Sequence, residues 1–297
     1  MKVEVQVAAQ VEVRLTTLER LDEILGLGVD AVSIGQEGCA AKLPDTELLR
    51  AAAERIRTAG ARAGVVLPAA WQRTAAQLVH TAGALAGDGP LTLTVNDLGT
   101  LATLAAEPAH GRELAAGLAL FPGRPHDAAE APRGPLEAAV YEDAFLQELE
   151  VFGVRVLEAE AAAVVAVRNG WRVRRLADVT PLAWARSCPT ARHHQLAVPD
   201  CVTTCDTPTA LTANQRWQLG HGHREPVPVA DRPSQVPLTV FGNAVYAHST
   251  ADPPAGADVV IDARFHTPQA LARRVGAVRP RVVAASLQES ASWLTSH

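Results

Sequence analysis

From position 3 to position 15 the chain alternates apolar and polar residues, the period of one or two β-strands. Leu18, Leu21, Ile24 and Leu25 then recur at helical spacing, and VDAVSIG is a short apolar strand that stops at Gly35. The pattern repeats. A helix over TELLRAAAERIRTAG, capped by Asp45 and closed by Gly60, leads to a strand in ARAGVVLP; a helix from Trp71 to Ala86 leads to LTLTV; and NDLGTLATLAAE opens a fourth helix with Asn96 as its cap. Strand followed by helix, four times in succession, predicts a parallel sheet.

The second half carries the same signal less evenly. RELAAGLALFP fits a fifth strand, GRPHDAAEAPRGP a Pro- and Gly-rich loop, residues 136–147 a helix and ELEVFGVRVLEAE a sixth strand. AAAVVAVRNG reads as a helix closed by Gly170, and WRVRRLADVTPLAWARS as a seventh strand. Residues 206–235, rich in Pro, Gly and His, read as an irregular excursion; PLTVFGNAVYAH is a hairpin, ADVVIDARF a strand, TPQALARRVGAV a helix, and the last stretch a strand or helix. Neither a dividing linker nor an internal repeat interrupts this order. The expected fold is α/β: residues 1–297 form a single TIM-like (β/α) barrel decorated by the excursion after Cys205.

Composition narrows the function. Hydrophobic residues make up 48% of the chain and aromatics 4%, so a large core is available but Ala and Val must fill most of it. The net charge of −5, with no long basic run, argues against nucleic-acid binding through phosphate contacts. Arg172, Arg174 and Arg175 remain candidates for a local basic patch. The charged N-terminus is unlike a signal peptide, and no window reaches the roughly 20 apolar residues of a membrane span. The expectation is a cytoplasmic protein, in which four cysteines are ligands or thiols rather than a disulfide framework.

Those cysteines are Cys39, on the loop after the second strand, and Cys188, Cys201 and Cys205, spaced C-x12-C-x3-C. Working residues of parallel barrels sit beyond the carboxyl ends of strands, so Cys39 and Cys188 are expected on one face. Structural zinc sites usually offer two close pairs, and here only Cys201 and Cys205 make one. An iron-sulfur cluster accepts wider separations because each thiolate binds a different iron. Cluster, zinc and unrelated thiols all stay open on spacing alone.

The residues around the cysteines add a resemblance. PLAWARSCPTARHH around Cys188, IGQEGC around Cys39, the closing CVTTC and the VNDLG turn are similar to segments of the collagenase-like (YhbU-type) peptidase family, in its UbiV-like iron-sulfur hydroxylase branch. The resemblance implies that Cys39, Cys188, Cys201 and Cys205 hold a four-iron four-sulfur cluster, with zinc as the alternative. It further implies a heterodimer with a homologous UbiU-like subunit, a small aromatic substrate, oxygen-independent hydroxylation and prephenate as oxygen donor. Three departures stand out: the gap from Cys188 to Cys201 is shorter, Arg172 and Arg174 replace acidic residues of the seventh strand, and Val179 and Thr180 replace a Gly-His step. The substrate expectation is accordingly an aromatic or polyketide-like ring. A metal-stabilised binding or scaffold subunit is the alternative. A peptidase comes last, since neither H-E-x-x-H nor a nucleophile with its base is present.

Candidate catalytic residues surround this set. Glu37, two residues before Cys39, is a candidate acid or base, and His193, beside His194, a candidate proton or hydrogen-bond donor; ordinary loop positions are the plainer readings. Arg186 or Arg192, with Trp184, would suit an aromatic carboxylate by stacking and bidentate pairing, against core packing of the indole and surface exposure of the guanidinium. Asn96 and Asp97 end the fourth strand within reach of the same face.

Overall fold

The computed structural model describes residues 10–70, 74–107, 111–120, 140–141, 143–161, 164–165, 170–185, 188–196, 205, 208–213, 217–218, 227–228, 236–249, 251–254 and 257–279. Strands run in chain order as β1 (Val11–Leu15), β2 (Ala31–Gly35), β3 (Arg62–Leu67), β4 (Leu91–Val95), β5 (Arg112–Ala116), β6 (Val156–Glu160), β7 (Arg172–Ala177), β8 (Val179–Trp184), β9 (Thr209–Ala213), β10 (Val236–Phe241), β11 (Ala244–His248) and β12 (Asp258–Asp262). All of them except β8 to β11 join, in parallel, into a closed eight-stranded barrel in which β12 pairs with both β7 and β1. The expected TIM-like α/β barrel is therefore the fold. Strands β8, β11, β10 and β9 form a separate four-stranded sheet inserted between the seventh and eighth barrel strands.

Helices α1 (Leu21–Leu25), α2 (Thr46–Thr58), α3 (Ala75–Leu85), α4 (Leu98–Ala106) and α5 (Asp143–Val151) follow barrel strands or lead into them. Asp45 caps α2 as expected, its carboxylate accepting the Leu48 N–H at 2.9 Å. The cap of α4 is Asp97, accepting from Thr100 at 2.7 Å, and not Asn96. Asn96 is buried instead. Its amide donates to the Leu67 carbonyl at 2.8 Å and accepts from Ala119 N–H at 3.1 Å, stitching the ends of β3 and β4 to the turn after β5.

Three more expectations change. Within 136–147 the described residues form a short strand, Val140–Tyr141, and then α5, which runs on through ELEV because Leu146 and Leu149 pack into the core at helical spacing. Val164–Val165, read as helical, instead pairs in parallel with that short strand, a setting that suits β-branched side chains. The seventh strand is two strands. The chain turns out of the barrel at Asp178, whose φ of 70° breaks the extended run; Arg274 and His266 hold its carboxylate, and its carbonyl accepts from Ser249 at 2.8 Å. Cys188 therefore follows β8 of the inserted sheet, not a barrel strand. Residues 3–9, the loop at 123–135 and the segment after 279 lie outside the described residues.

Every residue of β1 is buried, charged and apolar alike. Val11, Val13 and Leu15 pack in the main core under the helices, while Glu12 and Arg14 face the barrel axis. The axis is filled by charge. Arg14 reaches across the barrel to bond Glu158 on β6, and Arg174 on β7 bonds Glu12 at 3.0 Å, Glu158 at 2.7 Å and Thr94 on the far side. Burial pushes the Glu12 carboxyl up, but Arg174 and Arg14 outweigh it and hold the group below the ordinary carboxylate range. The basic patch considered for Arg172, Arg174 and Arg175 does not form: Arg172 pairs with Asp258, Arg174 lies inside the barrel, and Arg175 bonds the Glu160 carbonyl at 3.1 Å.

Candidate functional site at the carboxyl-terminal mouth

The hairpin foreseen in PLTVFGNAVYAH is β10 and β11, joined by a two-residue turn, Gly242–Asn243. Gly242 has a φ of 59° and Asn243 has no positive φ, the pattern of a type II′ turn, which suits the right-handed twist of the flanking strands. The residues flanking its turn close on the barrel. Phe241, Ala244 and Tyr246 pack with Leu118, Leu176 and Val260 in a second, smaller core, against which Trp184 and Phe265 rest. This hairpin plugs the mouth on which parallel barrels carry their working residues.

Directly beneath it lies a buried polar set. Arg264, on the turn after β12, donates to both carboxylate oxygens of Asp262 and, at 2.8 Å, to Gln36; it also lies 3.4 Å from both Glu37 oxygens. Its guanidinium sits 5.1 to 5.5 Å from the ring centres of Phe241, Tyr246 and Phe265, within cation–π range. The Tyr246 hydroxyl donates to Glu37, and Arg14 approaches the same carboxylate at 3.8 Å. Burial raises the Glu37 carboxyl, yet Arg264 and Arg14, helped by the Tyr246 hydrogen bond, bring it below its ordinary value. Burial pushes the Tyr246 phenol well up, with Glu37 adding to it. Glu37 is thus a fixed buried charge and a poor proton donor near neutrality.

A pH dependence follows. The folded values of Glu12 and Glu37 lie below the unfolded value of about 4.3, so their contribution is complete above that pH and disappears as pH falls through the lowered folded values. The melting temperature should hold near neutrality and drop below about pH 4. Glu37→Gln should lower it at neutral pH and flatten the acid limb; acid limbs of equal slope in melts of the two proteins would remove Glu37 from the titrating set.

The cysteines stand above this plug. Cys39 and Cys188 are half-buried and Cys205 is buried. Asn243 donates its amide to the Gly38 carbonyl at 2.6 Å, beside Cys39. Thr190, two residues beyond Cys188 on the short helix α6 (Pro189–His193), donates its hydroxyl to the Gly242 carbonyl at 2.8 Å. A methyl group placed on Gly242 would lie 3.8 Å from the Cys205 sulfur. One turn thus touches the neighbourhood of three cysteines that are far apart in sequence. Among the described residues, no group of three or more His, Cys, Asp or Glu side chains is disposed to hold a metal ion. Cys201 and Arg186 lie outside the described residues, as does the side chain of His193; Arg192 and His194 are exposed on or just after α6.

Reading the residues alone misses Arg264, Tyr246, Asn243 and Arg14. The G-N step between apolar runs signals the turn, but nothing local signals what it plugs. No helix among the described residues is long and apolar enough to cross a membrane. No family model and no curated protein matches the chain. Among solved structures, the chain is similar to one described as "The Structure of the U32 Peptidase Mk0906", at 14% identity and a TM-score of 0.42, covering 88% of this chain and 96% of that one.

Proposed function

We propose that Cys39, Cys188, Cys201 and Cys205 hold a four-iron four-sulfur cluster above the barrel mouth, and that the chain is one subunit of an oxygen-independent hydroxylase acting on an aromatic or polyketide-like ring. The observation that carries this reading is the gathering of the Cys39, Cys188 and Cys205 segments around Gly242–Asn243. The donor set fits. It consists of thiols, the preferred ligands of such clusters, and Cys201 is four residues from Cys205, so the chain between them spans at most about 14 Å. With four cysteine ligands the cluster supplies electron transfer and leaves no iron open to substrate.

The chain's own contribution is to hold the thiols and seal the site from below. Tyr246, Phe241 and the Arg264–Glu37–Asp262 set close the barrel under the cysteine segments. A homologous partner subunit would complete the substrate site, with prephenate as the oxygen donor. The second reading, a zinc- or iron-stabilised binding or scaffold subunit, is favoured by one feature: Glu37, Arg264 and Tyr246 are buried and bonded to one another, a plug rather than an open catalytic cleft.

Protein purified without oxygen, as wild type and as Cys188→Ala, separates the two readings. About four irons and four sulfides per chain, with visible absorption and a paramagnetic signal on reduction, are expected for wild type and should be lost in the variant. One zinc per chain, or no metal, would place the scaffold reading first.

A further inference from the structure

We infer that Asn243 is the positioning residue of the cysteine site, setting the separation between the Cys39 and Cys188 segments before any metal binds. The inference rests on the cluster reading for its purpose, but not for its geometry. Asn243 is 5% exposed and makes three bonds to the two segments. Its side-chain amide nitrogen donates to the carbonyls of Gly38, at 2.6 Å, and Ala185, at 3.3 Å, and its main-chain carbonyl accepts from Ala185 N–H at 2.8 Å, a bond that a substitution at 243 leaves in place. Gly38 precedes Cys39, and Ala185 lies three residues before Cys188. A single side chain therefore clamps both.

The clamp has little freedom. Type II′ geometry fixes the backbone of the turn, and the Gly242 carbonyl is tied to Thr190 on the far side of Cys188. Gly38 lets Asn243 come close, since a Cβ there would sit 2.4 Å from the Asn243 Oδ1. Both amide acceptors are carbonyl oxygens, so only a donor is tolerated at this point. Asp would set a carboxylate against two carbonyls, and Ala would take the donor from the buried Gly38 and the half-buried Ala185.

The test uses the full chain, metal-free and reduced, treated with the short thiol cross-linker dibromobimane. Peptide mapping reads the Cys39–Cys188 product. Wild type should give this product, and Asn243→Asp should cut its yield by about fivefold or more, the population shift expected from losing a net hydrogen bond, while circular dichroism still reports a folded barrel. In parallel, iron reconstituted per chain should fall in the variant. A folded Asn243→Asp protein that cross-links like wild type overturns the inference, as does a wild type giving no Cys39–Cys188 product. A wild type that takes up no iron, yet loses the cross-link on substitution, sinks the cluster reading and leaves Asn243 as the clamp. If Asn243→Asp does not fold, Thr190→Val, which cuts only the tie between Gly242 and α6, decides: reduced cross-linking supports the inference and unchanged cross-linking overturns it.

Discussion

Glu158→Ala is expected to destabilise the protein by about 3–5 kcal/mol, the usual result of removing one partner from a buried ion pair. Glu158 is shared between two arginines from different strands: Arg14 bonds it from β1 and Arg174 bonds it at 2.7 Å from β7. All three side chains are at most 4% exposed. Without the carboxylate, two guanidiniums face each other across the axis in a setting that water reaches poorly, with Glu12, Glu37 and Asp262 left to offset them. In the intact protein burial lowers the affinity of Arg14 for its proton and Glu158, Glu37 and Glu12 more than reverse this; without Glu158 a guanidinium still keeps its proton in the accessible pH range, so the charge does not relax by deprotonation. Urea unfolding of wild type and variant checks the size, and Glu158→Gln should recover part of the loss through one amide acceptor. A loss below about 1 kcal/mol would mean that the axis is wet enough to solvate the freed arginines.

Gly35→Ala should cost at least about 3 kcal/mol, from a strained backbone conformation and a main-chain clash together. Gly35 ends β2 with a φ of 120°, a region closed to side chains, and a Cβ there would lie 2.2 Å from the carbonyl oxygen of Val66. Val66 is its register partner on β3, so relief requires parting the two strands where the barrel closes tightly. The damage should reach the site. Gln36 and Glu37 follow immediately, and Cys39 is four residues on, so on the proposed cluster reading the variant should also bind less iron than its residual folded fraction accounts for. Thermal melts with parallel iron assays measure both effects; a variant as stable as wild type would show that β2 and β3 separate at this point without cost.

The candidate site was legible in part. The sequence pattern puts Cys39 and Cys188 each after a barrel strand and so on the carboxyl-terminal face. Their segments do meet at one turn, but by another route: Cys188 is carried there by β8, which leaves the barrel at Asp178 and returns over its mouth. The run from Trp171 to Ser187 has no Pro or Gly at the break, only an Asp that takes a positive φ because Arg274 and His266 grip its carboxylate. Local sequence holds no sign of that grip, since both partners come from beyond the hairpin. Asn96 shows the same limit. Its type and place suit a helix cap, yet Asp97 fills that role, and the acceptor and the donor that claim Asn96 lie on β3 and on the turn after β5.

By itself the sequence determined the order of strands and helices through the fourth helix, the parallel barrel and the hairpin, because the hydrophobic period and the turn residues are local properties. Only the tertiary structure decided what the polar positions face. In β1 the alternation of Val11, Glu12, Val13, Arg14 and Leu15 has the form of a strand with one wet side, and both sides prove buried. Closure into a barrel turns that polar side inward, where Glu12, Arg14, Glu158 and Arg174 must neutralise one another across strands that are distant in sequence. Likewise the G-N step fixes a turn, but its place between three cysteine segments depends on where an inserted sheet folds back. A period of two specifies a strand and its two faces; which face meets water depends on the strands beside and across from it.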